Sequence, residues 1–409
     1  MSGFTYSVVA SSLHDATALH RFVSPITDAL DALGGRPADQ RSITQHTPHV
    51  VVVATGGTEQ RIVELVAERR SNAPWEPVVL LSHRFHNSLP AALEALARIQ
   101  RDGTPGRIVQ NDEPDEPATS ITDLMTIHWF RHARLGLIGT PSDWLVASVP
   151  DRDRLRSRWG IELVDVPIEE PMSHYRDAPD VDVQAVAVHF TPRGEPARAT
   201  IEAAALHAPL VGVATAHRLD AMAVRCFDML TELHTSGCVA LAQLNDDGFV
   251  AGCEGDVAAT VAMMLVRRLL DSPSWIANPA RVDPAAGELV LAHCTVAPSL
   301  VDDVELHTHF ESGLGVGVRG TFAPGPVTLL RFGGDELERS WIREGEIVGS
   351  GTSDDLCRTQ VDIRGVDDLD DLLESPLGNH LVMVRGRHRR RLERWSRLAH
   401  GSRALAATP

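Results

Sequence analysis

At 409 residues the chain is too long for one ordinary hydrophobic core, so two or three domains are expected. Hydrophobic residues make up 43%, enough for large buried cores, and a formal net charge of −17 disfavours broad binding to nucleic acid or an anionic membrane surface. All 38 basic residues are arginine, and the five cysteines (Cys226, Cys238, Cys253, Cys294, Cys357) form no C-x-x-C pair, the pattern of reduced, mostly buried thiols. The first fifteen residues lack the basic and apolar regions of a signal peptide. The most apolar helix, around 258–270, is interrupted by Arg267 and Arg268 and is too short to cross a bilayer, so a cytoplasmic location is expected.

Along the chain, His49–Ala54 is an apolar run that predicts a buried strand. The Gly-rich loop Thr55–Glu59 and helical spacing over Gln60–Arg69 follow it. That loop stands at a strand's C-terminal end, where open α/β sheets bind ligands, and it reads equally well as a tight turn. Pro77–Leu81 is the next predicted strand, Pro90–Arg101 the next helix and Leu135–Gly139 a further strand. This alternation predicts a doubly wound parallel sheet. After the turn Pro141–Asp143 the rhythm resumes at Trp144–Ser148. It continues through Ile161–Val164, Val183–Phe190, Pro209–Ala214, Cys238–Leu241 and Ser274–Ala277, read as strands of a second α/β domain.

Beyond about residue 285 the pattern changes to short strands with Gly/Pro turns: Glu288–His293, Gly315–Arg319, Val327–Arg331 and Glu346–Gly349. These predict an antiparallel, barrel-like domain. The Arg-rich tail, 385–403, has helical spacing and reads as a solvated or partner-facing helix. The fold class is thus α/β, two doubly wound domains (flavodoxin- or Rossmann-like) followed by an antiparallel β-barrel-like domain, with boundaries at 1–142, 143–285 and 286–409. The G-x-G-x-x-G match at Gly315–Gly320 is no dinucleotide site, because a proline-containing strand follows where the pyrophosphate-binding helix is needed.

The richest polar segment is Cys253–Asp256, where an apolar strand runs into a helix. Unpaired N–H groups at a helix start hold a carboxylate ionised. Glu254 and Asp256 are therefore candidates for catalysis or metal binding, while Asp256 also reads as a simple helix cap. His293 ends an apolar strand, where it is either a hydrogen-bonded core residue or a ligand. His307, His309 and Glu311 share one face if the segment is a strand. His380 follows Pro376–Asn379 and leads into the apolar run Leu381–Arg385. A mixture of carboxylate and imidazole suits Mn, Mg or Co, and no cysteine-pair zinc pattern competes with it.

The chain resembles the L-fucose isomerase / L-arabinose isomerase superfamily, as a fucose isomerase-like subgroup. The resemblance is loose over 1–140 and more specific from about 210 to 385. The motifs that carry it are RCFD (Arg225–Asp228), LND (Leu244–Asp246), CEGDV (Cys253–Val257), ANPARVD (Ala277–Asp283), LAHCTVAPSL (Leu291–Leu300), HFESG (His309–Gly313), CRTQ (Cys357–Gln360) and PLGNH (Pro376–His380). It implies two flavodoxin- or Rossmann-like domains, a β-barrel-type domain, and isomerisation of an aldose to its ketose through an ene-diol with Mn²⁺ at O1 and O2. It implies Glu254, Asn278, His293 and His380 as metal ligands, with Mg²⁺, Co²⁺ or Fe²⁺ as alternatives to Mn²⁺. It also implies a homo-oligomer, a trimer or hexamer, with the site near a subunit interface.

Asn278 departs from the pattern, since an acidic residue is expected there. Asn cannot exchange a proton at neutral pH, though its carbonyl can still ligate. Glu254 then serves alone, or Asp256, Glu311 or His309 replaces the missing carboxylate, or the chemistry differs. Arg225, Asn245, Asp246, His309 and Asn379 are the expected substrate-binding residues; Arg225, Asn245 and Asp246 read equally as caps and surface pairs. His14, Thr55, Gly56, His86 and Asn87 are weaker candidates. The leading expectation is a metal-dependent sugar isomerase. A metal-dependent epimerase, aldolase or lyase and a non-catalytic sugar-binding protein are the alternatives.

Overall fold

The computed structural model describes residues 3–13, 15–38, 47–111, 115–177, 190–192 and 197–401. His14 and most of the expected strand Val183–Phe190 lie outside these residues. The chain divides into two compact units, Met1–Arg131 with Arg394–Ala406 and His132–Glu393 with Ala407–Pro409.

The first unit holds a five-stranded parallel sheet of β1 (Phe4–Val9), β2 (Gly35–Pro37), β3 (His49–Val53), β4 (Val78–Ser82) and β5 (Gly106–Gln110). Its order, β2-β1-β3-β4-β5, is that of a flavodoxin-like doubly wound sheet. Helices cover both faces, so β3 and β4 are buried at every position and read as unbroken apolar runs. The tail helix Arg389–His400 is not simply solvated. Leu392, Trp395 and Leu398, three residues apart, are buried. Within the first unit Trp395 Nε1 donates to the Asp123 carbonyl at 3.2 Å, and Arg394 pairs with Glu116.

The second unit combines a parallel sheet with a barrel. β6 (Arg134–Ile138) and β7 (Glu162–Val166) precede the short β8 (Thr191–Pro192); β9 (Ala221–Val224) and β10 (Val250–Gly252) complete the sheet, in the order β10-β9-β6-β7. The barrel is antiparallel and closed. It is formed by β11 (Trp275–Asp283), β12 (Glu288–His293), β15 (Gly325–Gly333), β16 (Arg339–Gly349), β17 (Thr359–Arg364) and β18 (Leu381–Arg385). Closure leaves no edge strand exposed. β13 (Asp303–Thr308) and β14 (Val316–Thr321) pair beside it with β8.

Four expected strands come out differently. Pro209–Ala214 lies in the helix His207–Ala216, whose buried Leu210 and Val213 follow Leu206 at i+4 and i+7. Cys238–Leu241 begins the helix Cys238–Asp246, buried from Cys238 to Asn245, so no amphipathic stripe marks it in the sequence. Trp144–Ser148 is an irregular loop bracketed by Pro141 and Pro150, with Val146 90% exposed. Ser274–Ala277 feeds β11 and so belongs to the barrel. The run Arg198–Ala216 is long and apolar enough, by length and composition alone, to cross a membrane. Here its Ala203, Ala204, Leu206, Leu210 and Val213 enter the core of the second unit.

The helix Val257–Leu270 organises this unit. Every residue from Val257 to Val266 is buried, and it packs against β9 and β10 on one side and β11, β15 and β18 on the other. Each fully buried Val, Leu or Met contributes roughly 1.5–3 kcal/mol. The helix therefore fixes its own N-terminus, Glu254–Asp256, against the ends of the barrel strands.

Candidate metal centre

After β10 the chain passes through Cys253, Glu254 and Gly255 to Asp256, the N-cap of Val257–Leu270. Glu254 and Gly255 are both left-handed, with φ of +62° and +71°. Gly255 is required there, since a Cβ would stand 2.8 Å from Pro141 Cα. For Glu254 the left-handed conformation costs about 1–2 kcal/mol. Two hydrogen bonds hold it: Ser142 N–H donates to the Glu254 carbonyl at 2.9 Å, and Gly255 N–H to the Val224 carbonyl at 2.9 Å. Strain of this kind concentrates at functional sites.

The turn directs the Glu254 carboxylate between two histidines. Oε1 lies 3.4 Å from His380 Nε2 and 3.6 Å from His293 Nε2, while Oε2 accepts from Trp144 Nε1–H at 2.5 Å. The His293 and His380 ring centres are 5.3 Å apart. His293, at the end of β12, is tied at Nδ1 to Thr295 Oγ1 at 3.0 Å. His380, just before β18, is tied at Nδ1 to Asp256 Oδ2 at 2.9 Å. Both rings thus turn Nε2 toward Glu254. One donor atom from each of Glu254, His293 and His380 lies within 4.8 Å of the others, and all three residues are buried. His380 Nε2 is fully buried and makes no hydrogen bond. An orphaned buried nitrogen facing a carboxylate and a second imidazole fits a divalent cation, with the opposite ring nitrogens fixed as metal-ligating histidines require.

The same contacts set the ionisation of these groups. Burial alone would raise Glu254, but its contacts with His293 and His380 outweigh burial and hold it well below the usual carboxylate range. Burial pushes His293 down, against the pull of Glu254. Burial would also lower His380, but its hydrogen bond to Asp256 and the nearby Glu254 and Asp256 charges prevail and raise it to about 9. Burial opposes ionisation of Asp256, and the Arg331 charge and His380 overcome it and lower its pKa.

A cavity of about 310 Å³ opens beside this cluster, lined by Trp144, Phe227, Glu254, Asn278, Glu311 and Asn379. A smaller one of about 30 Å³ lies among Glu254, His293, His309 and the five cysteines. Asn379 Nδ2 donates to Asn278 Oδ1 at 3.3 Å, so the two amides form one polar edge. Burial and the nearby Glu254 charge raise the Glu311 carboxyl. Burial, with His293 and Arg358, lowers His309 to about 4; its Nδ1 meets Ser312 Oγ at 2.9 Å. A larger cavity of about 790 Å³ lies in the first unit among Thr104, Arg107, Arg397 and His400. Among the described residues no carboxylate–imidazole cluster of ligand spacing accompanies it, so volume does not select the site.

Of the sequence candidates, Glu254, His293 and His380 converge, while Asn278, Glu311 and Asn379 line the cavity. His309 and Glu311 sit in the turn after β13, so the expected shared strand face with His307 ends at Thr308; His307 instead pairs with Glu305 at 3.1 Å. Four expectations change more. Asp256, a catalytic candidate, lies fully buried behind the cluster, where it accepts from Ala259 N–H as the helix cap and holds Arg331 and His380. Asn245, a substrate candidate, spends its amide on the backbone of Leu241 and Ala251. Asp246 accepts from Ser299 N–H at 2.7 Å. Arg225 holds the 140–143 loop through Thr140, the Pro141 carbonyl and Asp143, and does not line the cavity. Trp144, Phe227 and Arg331 are missing from the sequence list. The signal for Arg331 was available: a charge inside the apolar strand Val327–Phe332 needs a buried partner.

A sulfoquinovose isomerase from Priestia aryabhattai is 22% identical over 193 residues, 44% of this chain and 43% of that protein. The protein of the same name from Priestia megaterium matches equally. A sulfoquinovose isomerase from a Clostridium species is 30% identical over 129 residues, 31% of this chain and 27% of its own length. The chain spans less than half the length of these relatives. No family model matches it.

Proposed function

We propose that the protein is a sugar isomerase whose reaction takes place in the 310 Å³ cavity beside Glu254, His293 and His380. The observation that carries this reading is the convergence of two Nε2 atoms and a carboxylate oxygen around the orphaned His380 nitrogen, at the wall of a polar cavity. The superfamily resemblance and the sulfoquinovose isomerase relatives support it and make sulfoquinovose the first sugar to try, with unsubstituted aldoses beside it. Glu254, His293 and His380 would hold the divalent cation, Mn²⁺ before Mg²⁺, Co²⁺ or Fe²⁺, with Asn278 as an additional oxygen donor. When bound, the cation polarises the sugar carbonyl and stabilises charge developing on its oxygen.

The chain's own residues divide the remaining work. Asn278 and Asn379 hydrogen-bond sugar hydroxyls, and Trp144 and Phe227 offer apolar faces to the ring. Glu254, kept ionised, accepts the proton from C2. Glu311, which lines the same cavity, is the second carboxyl that can carry a proton to C1; burial and the Glu254 charge shift it in the direction a proton donor needs. This assignment supplies the second carboxylate that Asn278 does not. The exposed apolar side chains Trp144, Val146 and Val149 on the adjoining loop favour a homo-oligomer that covers them.

Glu254→Gln is expected to lower turnover by about 10²–10⁴-fold. Turnover unchanged from wild type removes this reading. A second reading, an epimerase, aldolase or lyase working through the same ene-diolate, is favoured by the amide at Asn278. Carbon NMR of the products in D₂O separates them: an isomerase gives the ketose with deuterium at C1, an epimerase gives an aldose with deuterium at C2, and an aldolase or lyase breaks a C–C or C–O bond of the substrate.

A further inference from the structure

Arg331 lies in β15, 1% exposed, surrounded by the apolar strands of the barrel. Its guanidinium reaches three separate segments. NH1 donates to Asp256 Oδ2 at 2.9 Å, NH2 to Ser148 Oγ at 2.7 Å and Nε to the Leu377 carbonyl at 3.4 Å. Each segment delivers one part of the cluster. Asp256 follows Glu254 by two residues, Ser148 lies in the loop that carries Trp144, and Leu377 precedes His380 by three. Gly378, at φ +139°, leaves room for the guanidinium: a Cβ there would stand 2.3 Å from NH2. The Asp256 oxygen that takes Arg331 is also the one that takes His380 Nδ1.

We propose that Arg331 is the positioning residue of this centre. It anchors Asp256 so that Asp256 holds the His380 ring with Nε2 toward Glu254. The proposal rests on the metal-centre reading. Stability alone is a poor account of it, because a buried ion pair is often no more stabilising than apolar residues of similar volume. What a planar fork with several donors supplies, and an apolar residue does not, is a fixed angle between three segments. Second-layer partners of this kind set the affinity of the ligands they orient, typically by 10–100-fold.

The test is Mn²⁺ binding, followed by loss of the free-ion electron paramagnetic resonance signal, on wild type, Arg331→Met, Arg331→Lys and Ser148→Ala, each first checked for folding by circular dichroism. Folded Arg331→Met is expected to bind Mn²⁺ about 10–100-fold more weakly. Arg331→Lys, which keeps the charge beside Asp256, is expected to recover part of that loss. Turnover at saturating Mn²⁺ should fall through kcat more than KM, since Arg331 does not line the cavity. A folded Arg331→Met with wild-type Mn²⁺ affinity overturns the proposal and leaves the metal centre standing. Where Arg331→Met does not fold, the other two variants decide: weakened binding in both supports the proposal, and wild-type affinity in both overturns it. A wild-type protein that binds none of Mn²⁺, Co²⁺ or Mg²⁺ removes the centre itself, and the proposal with it.

Discussion

Glu254 Oε2 accepts the Trp144 indole N–H while Oε1 faces the two imidazoles, so the two oxygens of one carboxylate have different tasks. Trp144→Phe keeps an aromatic ring at the cavity rim and deletes that donor. It is expected to lower kcat by about 10–100-fold, the equivalent of the roughly 1.5–3 kcal/mol that a hydrogen bond to a charged group contributes, and to leave Mn²⁺ binding within a few-fold of wild type. Steady-state kinetics beside a Mn²⁺ titration check this; an unchanged kcat would show that the indole bond is incidental. Glu254, His293 and His380 were legible because each is a polar residue at the end of an apolar run, where burial demands a partner. Trp144 was not, because nothing in a Pro-Ser-Asp-Trp turn says that its indole meets a residue 110 positions away. Asn245 misled for the opposite reason: an amide near a strand serves backbone groups as readily as sugar hydroxyls.

Between elements, the decisive feature is the turn from β10 into the helix Val257–Leu270. Two consecutive left-handed residues let the chain reverse while Asp256 caps the helix. Gly255→Ala adds a Cβ against the Pro141 backbone at a φ that disfavours it, and is expected to cost about 1–3 kcal/mol by urea unfolding. The Glu-Gly-Asp sequence announced a turn and a cap. It did not announce the helix–strand assignment nearby. Pro209–Ala214 and Cys238–Leu241 are buried on nearly all sides, and short apolar runs in such settings carry no period that separates helix from strand. The barrel strands β12, β15, β16 and β18 were easier, because Gly and Pro punctuate them at short intervals; β17 was not predicted, the expected strand Gly315–Arg319 is β14 beside the barrel, and β11 begins inside a segment that the sequence pattern joined to the preceding α/β rhythm.

At the scale of the whole molecule, the class of architecture was legible while the grouping of elements was not. Alternating runs imply parallel sheets and short punctuated runs imply a barrel, but the partner of β6 depends on tertiary contacts. Stability against acid is also a whole-molecule property with a local origin. His49, at the start of β3, is buried, and desolvation, reinforced by Arg69 and opposed by Glu76, lowers its pKa to about 4. The unfolded chain takes that proton near pH 6.5, while the folded chain refuses it until about pH 4. Folding stability is therefore lost as the pH falls through this window, at up to about 1.4 kcal/mol per unit of depression. Urea unfolding at pH 7 and pH 5 should show a smaller drop for His49→Gln than for wild type. Equal drops would assign the acid sensitivity to other groups. The Glu76 carboxyl, lowered by His128 and Arg69 against burial, loses its contribution only below its ordinary range and leaves this comparison undisturbed.

On the proposed reading, Glu254, His293 and His380 together hold one divalent cation at the wall of the cavity. Anomalous diffraction from crystals grown with Mn²⁺ tests it directly. The expected result is a single strong peak in contact with all three side chains, lost in Glu254→Gln crystals or much reduced. A Mn²⁺-loaded, active protein whose peak lies elsewhere, or that shows none at these residues, would contradict it.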